Sequence, residues 1–177
     1  MRTRKLSSAR DFDEFATRYR ALTPWGIDAA TLAASHARGL FDDADRMVGG
    51  YRITLGPNLP SLAAAATDEN LLGDRAPEDC ADCGALWLLD EVTADARRLL
   101  YSWIWVDHLA LGRRWLLGAG VRDEVVRQQL RALPEWLYEG PGHNNGHPVH
   151  MCLYVGDRDT AWRDLVASGA PAPWPFS

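Results

Sequence analysis

"MVGGYRITLGPNLP" (residues 47–60) decides how the rest of the chain is read. Its first nine residues are β-compatible, and "ARGLFDD" (37–43) stands just before it. The polar segment between the two runs, with "ADR" (44–46) at its centre, reads as a turn, so the pair is expected to form a hairpin of strands. "GPNLP" (56–60) then stops the second strand, since proline offers no N–H to a ladder. Arg52 lies in the middle of a strand otherwise suited to burial. A guanidinium there needs a partner or a ligand: an ion pair with Asp42 or Asp90, or recognition of a carboxylate or phosphate.

Upstream, "RTRKLSS" (2–8) is short enough for a first strand. "ARDFDEFATRYRAL" (9–22) carries Phe12, Phe15, Tyr19 and Leu22 at the spacing of one helical face. Thr23-Pro24 ends that helix, because the residue before a proline is pushed out of the helical region. A second helical piece, "IDAATLAASH" (27–36), leads into the hairpin. Downstream, residues up to "EDCADCG" (78–84) read as a long, polar, Ala-rich connection, and "ALWLLDEVTADA" (85–96) as a strand buried on both faces. "RRLLYSWIWVDHLALG" (97–112) reads as a helix, "RWLLGAGV" (114–121) as another buried strand and "RDEVVRQQLRAL" (122–133) as an amphipathic helix. Strand, helix, strand, helix is a βαβ pattern. A polar loop, "PEWLYEGPGHNNGHP" (134–148), a strand "VHMCLYV" (149–155), a helix "RDTAWRDLVAS" (158–168) and a Pro-rich tail complete the chain.

The 177 residues, 47% hydrophobic and 24% charged, fit one globular domain spanning 1–177. A net charge of -5 argues against a broad nucleic-acid footprint. Basic residues cluster at Arg97-Arg98, Arg113-Arg114 and Arg122, Arg127 and Arg131, as solvated faces or as a docking patch for an acidic partner or a phosphate-bearing cofactor. There is no secretory signal and no apolar run of membrane-spanning length, so neither membrane insertion nor export is expected, and the location expected is cytoplasmic. The three cysteines are then reduced thiols. "CADC" places Cys80 and Cys83 at metal-ligand spacing, and "HNNGH" offers His143 and His147, but two half-motifs build a zinc site only if the fold unites them; no metal is expected. His36, His108 and His150 are read as core or surface histidines, Cys152 as a small core residue, and the aromatic run "YSWIWVDH" (101–108) as the buried face of its helix or the lining of an acyl pocket.

The order of helix, helix, hairpin, long loop, central strand, helix, strand, helix, loop and strand is similar to the GNAT acyltransferase fold, and within it resembles the acyl-homoserine-lactone synthases. That family's second hairpin strand reads "VVGCxRLLPTxGPxML", and Val48, Gly49, Arg52, Gly56, Pro57 and Leu59 keep its order here. "WLLDEVTADA" (87–96) keeps the Trp87 and Asp95 of the family's "WELSRFAVDP", and Trp25 matches a tryptophan after the first helix. Leu88 and Glu91 stand where the family has Glu and Arg. Of two acidic residues after the first tryptophan only Asp28 has a counterpart, with Thr31 at the other position.

The resemblance implies an α/β (α+β) fold with a mixed, splayed central sheet flanked by helices. It implies an acyltransferase that moves an acyl group from acyl-CoA or an acyl carrier protein to the amine of S-adenosylmethionine. The product would be an acyl-homoserine lactone, a quorum-sensing autoinducer, released with methylthioadenosine. No tightly bound cofactor is expected. The carrier protein would dock at an Arg-rich surface. The altered residues at 88 and 91 leave open a different amine, or a silent ligand-binding protein. Trp25, Asp28, Arg52 and Trp87 are the implied substrate contacts. The amides of Leu89 to Thr93, Val92 and Thr93 among them, would pair with the pantetheine arm as a strand does, and Arg97 and Arg98 would hold phosphate at the helix start. Acyl transfer also needs a base for the amine proton, for which Glu91 and Asp90 are the candidates.

Overall fold

The computed structural model describes residues 1–23, 26–121, 133–144, 146–160 and 163. Trp25, nearly all of the helix expected over 122–133, and the tail lie outside them; of the last expected helix only 158–160 and 163 are described, and these are helical. The chain divides into two compact units, Met1–Ile53 with Gly84–Ile104 and Thr54–Cys83 with Trp105–Ser177. The seven strands among the described residues follow the order β1-β2-β3-β4-β5-β7-β6 in a mixed sheet.

The first unit opens with β1 (Arg2–Lys5) and α1 (Ala9–Leu22). Ser8 caps α1 by accepting the Asp11 N–H at 3.1 Å. Asp11 is buried, and the Arg4 guanidinium, bonded to both its carboxylate oxygens at 2.8 and 2.9 Å, holds it below the usual carboxylate range. Phe15, Ala16 and Tyr19 form the buried stripe, whereas Leu22, expected on it, is exposed. Thr23 is extended, as a residue before proline should be. The short helix α2 (Ala29–Ala33) precedes β2 (His36–Phe41) and β3 (Met47–Leu55), which form the expected antiparallel hairpin. Asp42 builds its turn, accepting the N–H groups of Ala44 and Arg46 at 3.0 and 2.9 Å and the Arg46 Nε at 2.7 Å.

Glycine at position 50 is a packing requirement. A Cβ there would lie 2.5 Å from the Phe15 ring and 2.7 Å from the Arg38 carbonyl oxygen. Phe15 therefore seats on bare backbone, with Trp87 edge-on to it at 5.7 Å, in a core that includes Leu6, Tyr19, Ile27, Leu32, Phe41 and Met47.

β4 spans Cys80–Leu88 and α4 Ala94–Ala110, which corrects the strand expected over 85–96. The strand starts at "CADC" because its one carboxylate is satisfied internally. Asp82, 2% exposed, accepts the Ser61 N–H and hydroxyl at 2.6 and 2.7 Å. It stops before Thr93, whose hydroxyl oxygen accepts the Ala96 N–H at 3.3 Å and so starts a helix.

Within the second unit, Gly56 makes room where "GPNLP" ends the strand: a Cβ would fall 1.8 Å from the Pro77 carbonyl oxygen. A short helix, α3 (Pro60–Ala64), follows with proline in its first turn. β4 pairs in parallel with β5 (Trp115–Gly120) from Cys80 to Cys83 only. β7 (His147–Asp157) lies antiparallel to β5, and β6 (Glu135–Asn144) antiparallel to β7. The polar loop expected over 134–148 is thus largely a strand. Its Gly-Pro-Gly, residues 140–142, lies at the edge of the sheet, where the 64–66 segment meets it: the Ala66 N–H bonds the Pro141 carbonyl at 3.1 Å and Ala65 bridges Gly142.

Two predictions follow from this packing. Gly50→Ala is expected to lower stability by about 1–3 kcal/mol, read as a shift of the urea midpoint. His108 is fully buried, and burial pushes its imidazole down to about 4 from 6.5. As pH falls the unfolded chain takes the proton first, so stability is full above about pH 6.5 and is lost towards pH 4. The loss should approach about 3 kcal/mol, and His108→Gln should remove that part of the slope in urea titrations at pH 7 and 4.5.

Candidate active site

Most of the residues picked out in the sequence fall in the first unit. In the hairpin ladder Arg52 stands opposite Ala37. Its Nε is buried and finds no hydrogen-bond partner among the described residues. Gly84 borders it: a Cβ there would be 3.8 Å from that nitrogen. The ion pairs expected with Asp42 or Asp90 are not among the described contacts, because Asp42 is taken by Arg46 and its own turn, while Asp90 is exposed in the turn after β4.

Two other groups feel the Arg52 charge. Asp28, the N-cap of α2, accepts the Thr31 N–H at 2.6 Å. That bond, with a smaller contribution from Arg52, holds its carboxyl below the usual range. Tyr19 is pushed up by burial, against the Thr23 side chain and the positive charge of Arg52. The Arg52 charge thus acts on both the Asp28 carboxylate and the Tyr19 hydroxyl. The part played by Tyr19 was not read from the sequence. Its signal was an aromatic with a polar tip on the buried helix face, four residues after Phe15.

Trp87, expected as a substrate contact, is a core residue, 4% exposed and packed on Phe15. Its indole N–H is buried with no partner among the described residues. Leu89 to Thr93, expected to pair with the pantetheine arm, lie beyond the end of β4 in a turn. The Leu89 N–H already bonds the Val48 carbonyl at 3.0 Å and the Val92 N–H the Leu89 carbonyl at 3.2 Å. Val92 is buried and Thr93 caps α4. β4 itself continues to Leu88, past Cys83, its last described partner position with β5.

Asp90 and Glu91 are exposed between β4 and α4. Arg97 is half-buried in the first turn of α4; Arg98 is exposed and 3.2 Å from Asp95. Trp25 lies outside the described residues.

The "CADC" spacing makes no chelate. Alternation along a strand turns residues three apart to opposite faces. Both cysteines are buried, and burial pushes the Cys80 thiol up to about 11.

Helices α1 and α2 before a hairpin, a β4-α4-β5 crossover and a closing antiparallel pair define the GNAT fold. Solved structures carry the comparison further. FeeM, an N-acyl amino acid synthase from uncultured soil microbes, superposes with a TM-score of 0.71 at 16% identity, covering 96% of this chain and 98% of its own. TofI in its apo form gives 0.63 at 18%, over 97% and 98%, and TofI has also been solved with an inhibitor and MTA. A GNAT-superfamily phosphinothricin acetyltransferase from Sinorhizobium meliloti, in complex with AcCoA, gives 0.60 at 14%, over 88% and 87%. At these identities the likeness is one of fold. No protein-family model matches the chain, and neither does any curated protein. No described helix is long and apolar enough to cross a membrane.

Arg52→Met is expected to leave the melting temperature unchanged or raised, because it removes a partly buried guanidinium whose Nε has no described acceptor. A marked fall in thermal unfolding would point to a structural ion pair instead.

Proposed function

We propose that the protein is an N-acyltransferase that moves an acyl group from a thioester to the amine of an amino-acid-type acceptor. The observation that carries this reading is Arg52: its buried, unpartnered Nε lies in a fold shared with FeeM and TofI, and its charge reaches the Asp28 carboxylate. The acceptor's carboxylate pairs with Arg52 and its amino group faces Asp28.

The neutral amine attacks the thioester carbonyl, the C–N bond forms, and collapse of the tetrahedral intermediate breaks C–S and releases the thiol. The amine proton passes to Glu91 or Asp90, directly or through solvent. Amides of Gly84–Leu88 hold the pantetheine arm, and the start of α4, with Arg97 and Arg98, takes the phosphates of coenzyme A or a carrier protein.

S-adenosylmethionine is the acceptor that the hairpin motif suggests, and the MTA found with TofI supports it. Its acylated form would close to the lactone as its carboxylate displaces methylthioadenosine. A second reading, an amino acid acylated without lactonisation, is favoured by Leu88 and Glu91 and by the activity named for FeeM.

The test is to incubate the protein with acyl-CoA and acyl-carrier-protein thioesters and S-adenosylmethionine or amino acids, following free thiol and methylthioadenosine. Thiol with methylthioadenosine supports the first acceptor; thiol with an acyl-amino acid alone supports the second; ligand binding without either product overturns acyl transfer. Arg52→Met should lower kcat/KM roughly 10- to 100-fold, the worth of one charged hydrogen bond.

A further inference from the structure

The β6–β7 hairpin carries a second chemical constellation, all of it in the second unit and independent of the acyl-transfer reading. Strand alternation places His150, Cys152 and Tyr154 on one face of β7. In the register Glu139 stands opposite Cys152 and Trp136 opposite Tyr154. Residues three apart on a regular strand would face opposite ways, but the ladder shifts between Trp136 and Tyr138. That bulge turns Glu139 to the same face as Trp136, whose ring stacks edge-on with Tyr154 at 5.2 Å. A carboxylate, an imidazole and a thiol thereby converge, one ligand atom from each within 4.8 Å of the others.

We propose that Glu139, His150 and Cys152 bind one divalent transition-metal ion, zinc by the chemistry of the donors. Sulfur, imidazole nitrogen and carboxylate oxygen together select zinc over the hard cations calcium and magnesium. Tetrahedral bonds of about 2.1 Å to nitrogen and oxygen put those two atoms roughly 3.4 Å apart. His150 Nε2 and Glu139 Oε1 are already 3.4 Å apart. Two ligands come from exposed side chains and one from a buried thiol, so the ion enters from solvent and the fourth position stays open to water. The buried Tyr154 hydroxyl lies beside the Cys152 sulfur, where it can donate to a metal-bound thiolate and orient it. The ion ties β6 to β7 through side chains that the register alone sets facing each other.

The test uses the full chain, stripped with a chelator and titrated with Zn²⁺ in competition with a chromophoric chelator, and separately with Co²⁺. One equivalent of zinc is expected, together with a thiolate-to-cobalt charge-transfer band. Cys152→Ser should remove that band. His150→Ala and Glu139→Gln, both surface changes, should weaken zinc at least about tenfold, while His143→Ala should leave it unchanged. Failure to bind one equivalent, binding unaltered in His150→Ala and Glu139→Gln, a charge-transfer band surviving Cys152→Ser, or equal weakening by His143→Ala would each overturn the assignment.

Discussion

The seat of the Phe15 ring on the bare backbone of Gly50 is the contact from which the first unit is built. It lets the Phe15 ring of α1 sit against the β3 backbone, and Trp87 meets that ring edge-on. One turn further along α1, Tyr19 then reaches the neighbourhood of Arg52. A side chain at position 50 would meet the Phe15 ring and the Arg38 carbonyl, so the apolar packing of this unit depends on a missing Cβ.

Elsewhere the protein pairs its carboxylates closely. Buried Asp11 is held by Arg4 and buried Asp82 by Ser61, while half-buried Asp42 shapes its own turn and binds Arg46. Arg52 differs because its Nε lacks such closure among the described residues. Asp28 combines both patterns, since it caps α2 through the Thr31 N–H and also feels Arg52.

Much of the architecture was legible where local rules act alone. The span Ala9–Leu22 follows from its apolar spacing, the Ser8 cap and the Thr23-Pro24 stop; the hairpin follows from two β-compatible runs and "DDADR"; the crossover follows from strand, helix, strand. In two segments that read as polar connections, pairing outweighs composition. "CADC" looked like the end of a polar connection, yet Asp82 can lie in a strand once Ser61 meets its oxygens. "EWLYEGPGHN" looked like a loop, yet its glycines and proline are tolerated in an edge strand laid along β7.

The sequence by itself determined the local elements and marked Arg52 as a charge in an apolar strand, since period, capping and turn chemistry depend on neighbours a few residues away. Only the tertiary structure decided what each marked residue meets. It put Trp87 in the core, gave Asp42 to Arg46, let the Arg52 charge act on Tyr19 and Asp28, and brought Glu139 across from Cys152 through a bulge. Those outcomes depend on strand register and helix seating. In a sheet, one residue of shift carries a side chain to the opposite face, and no local pattern encodes that shift.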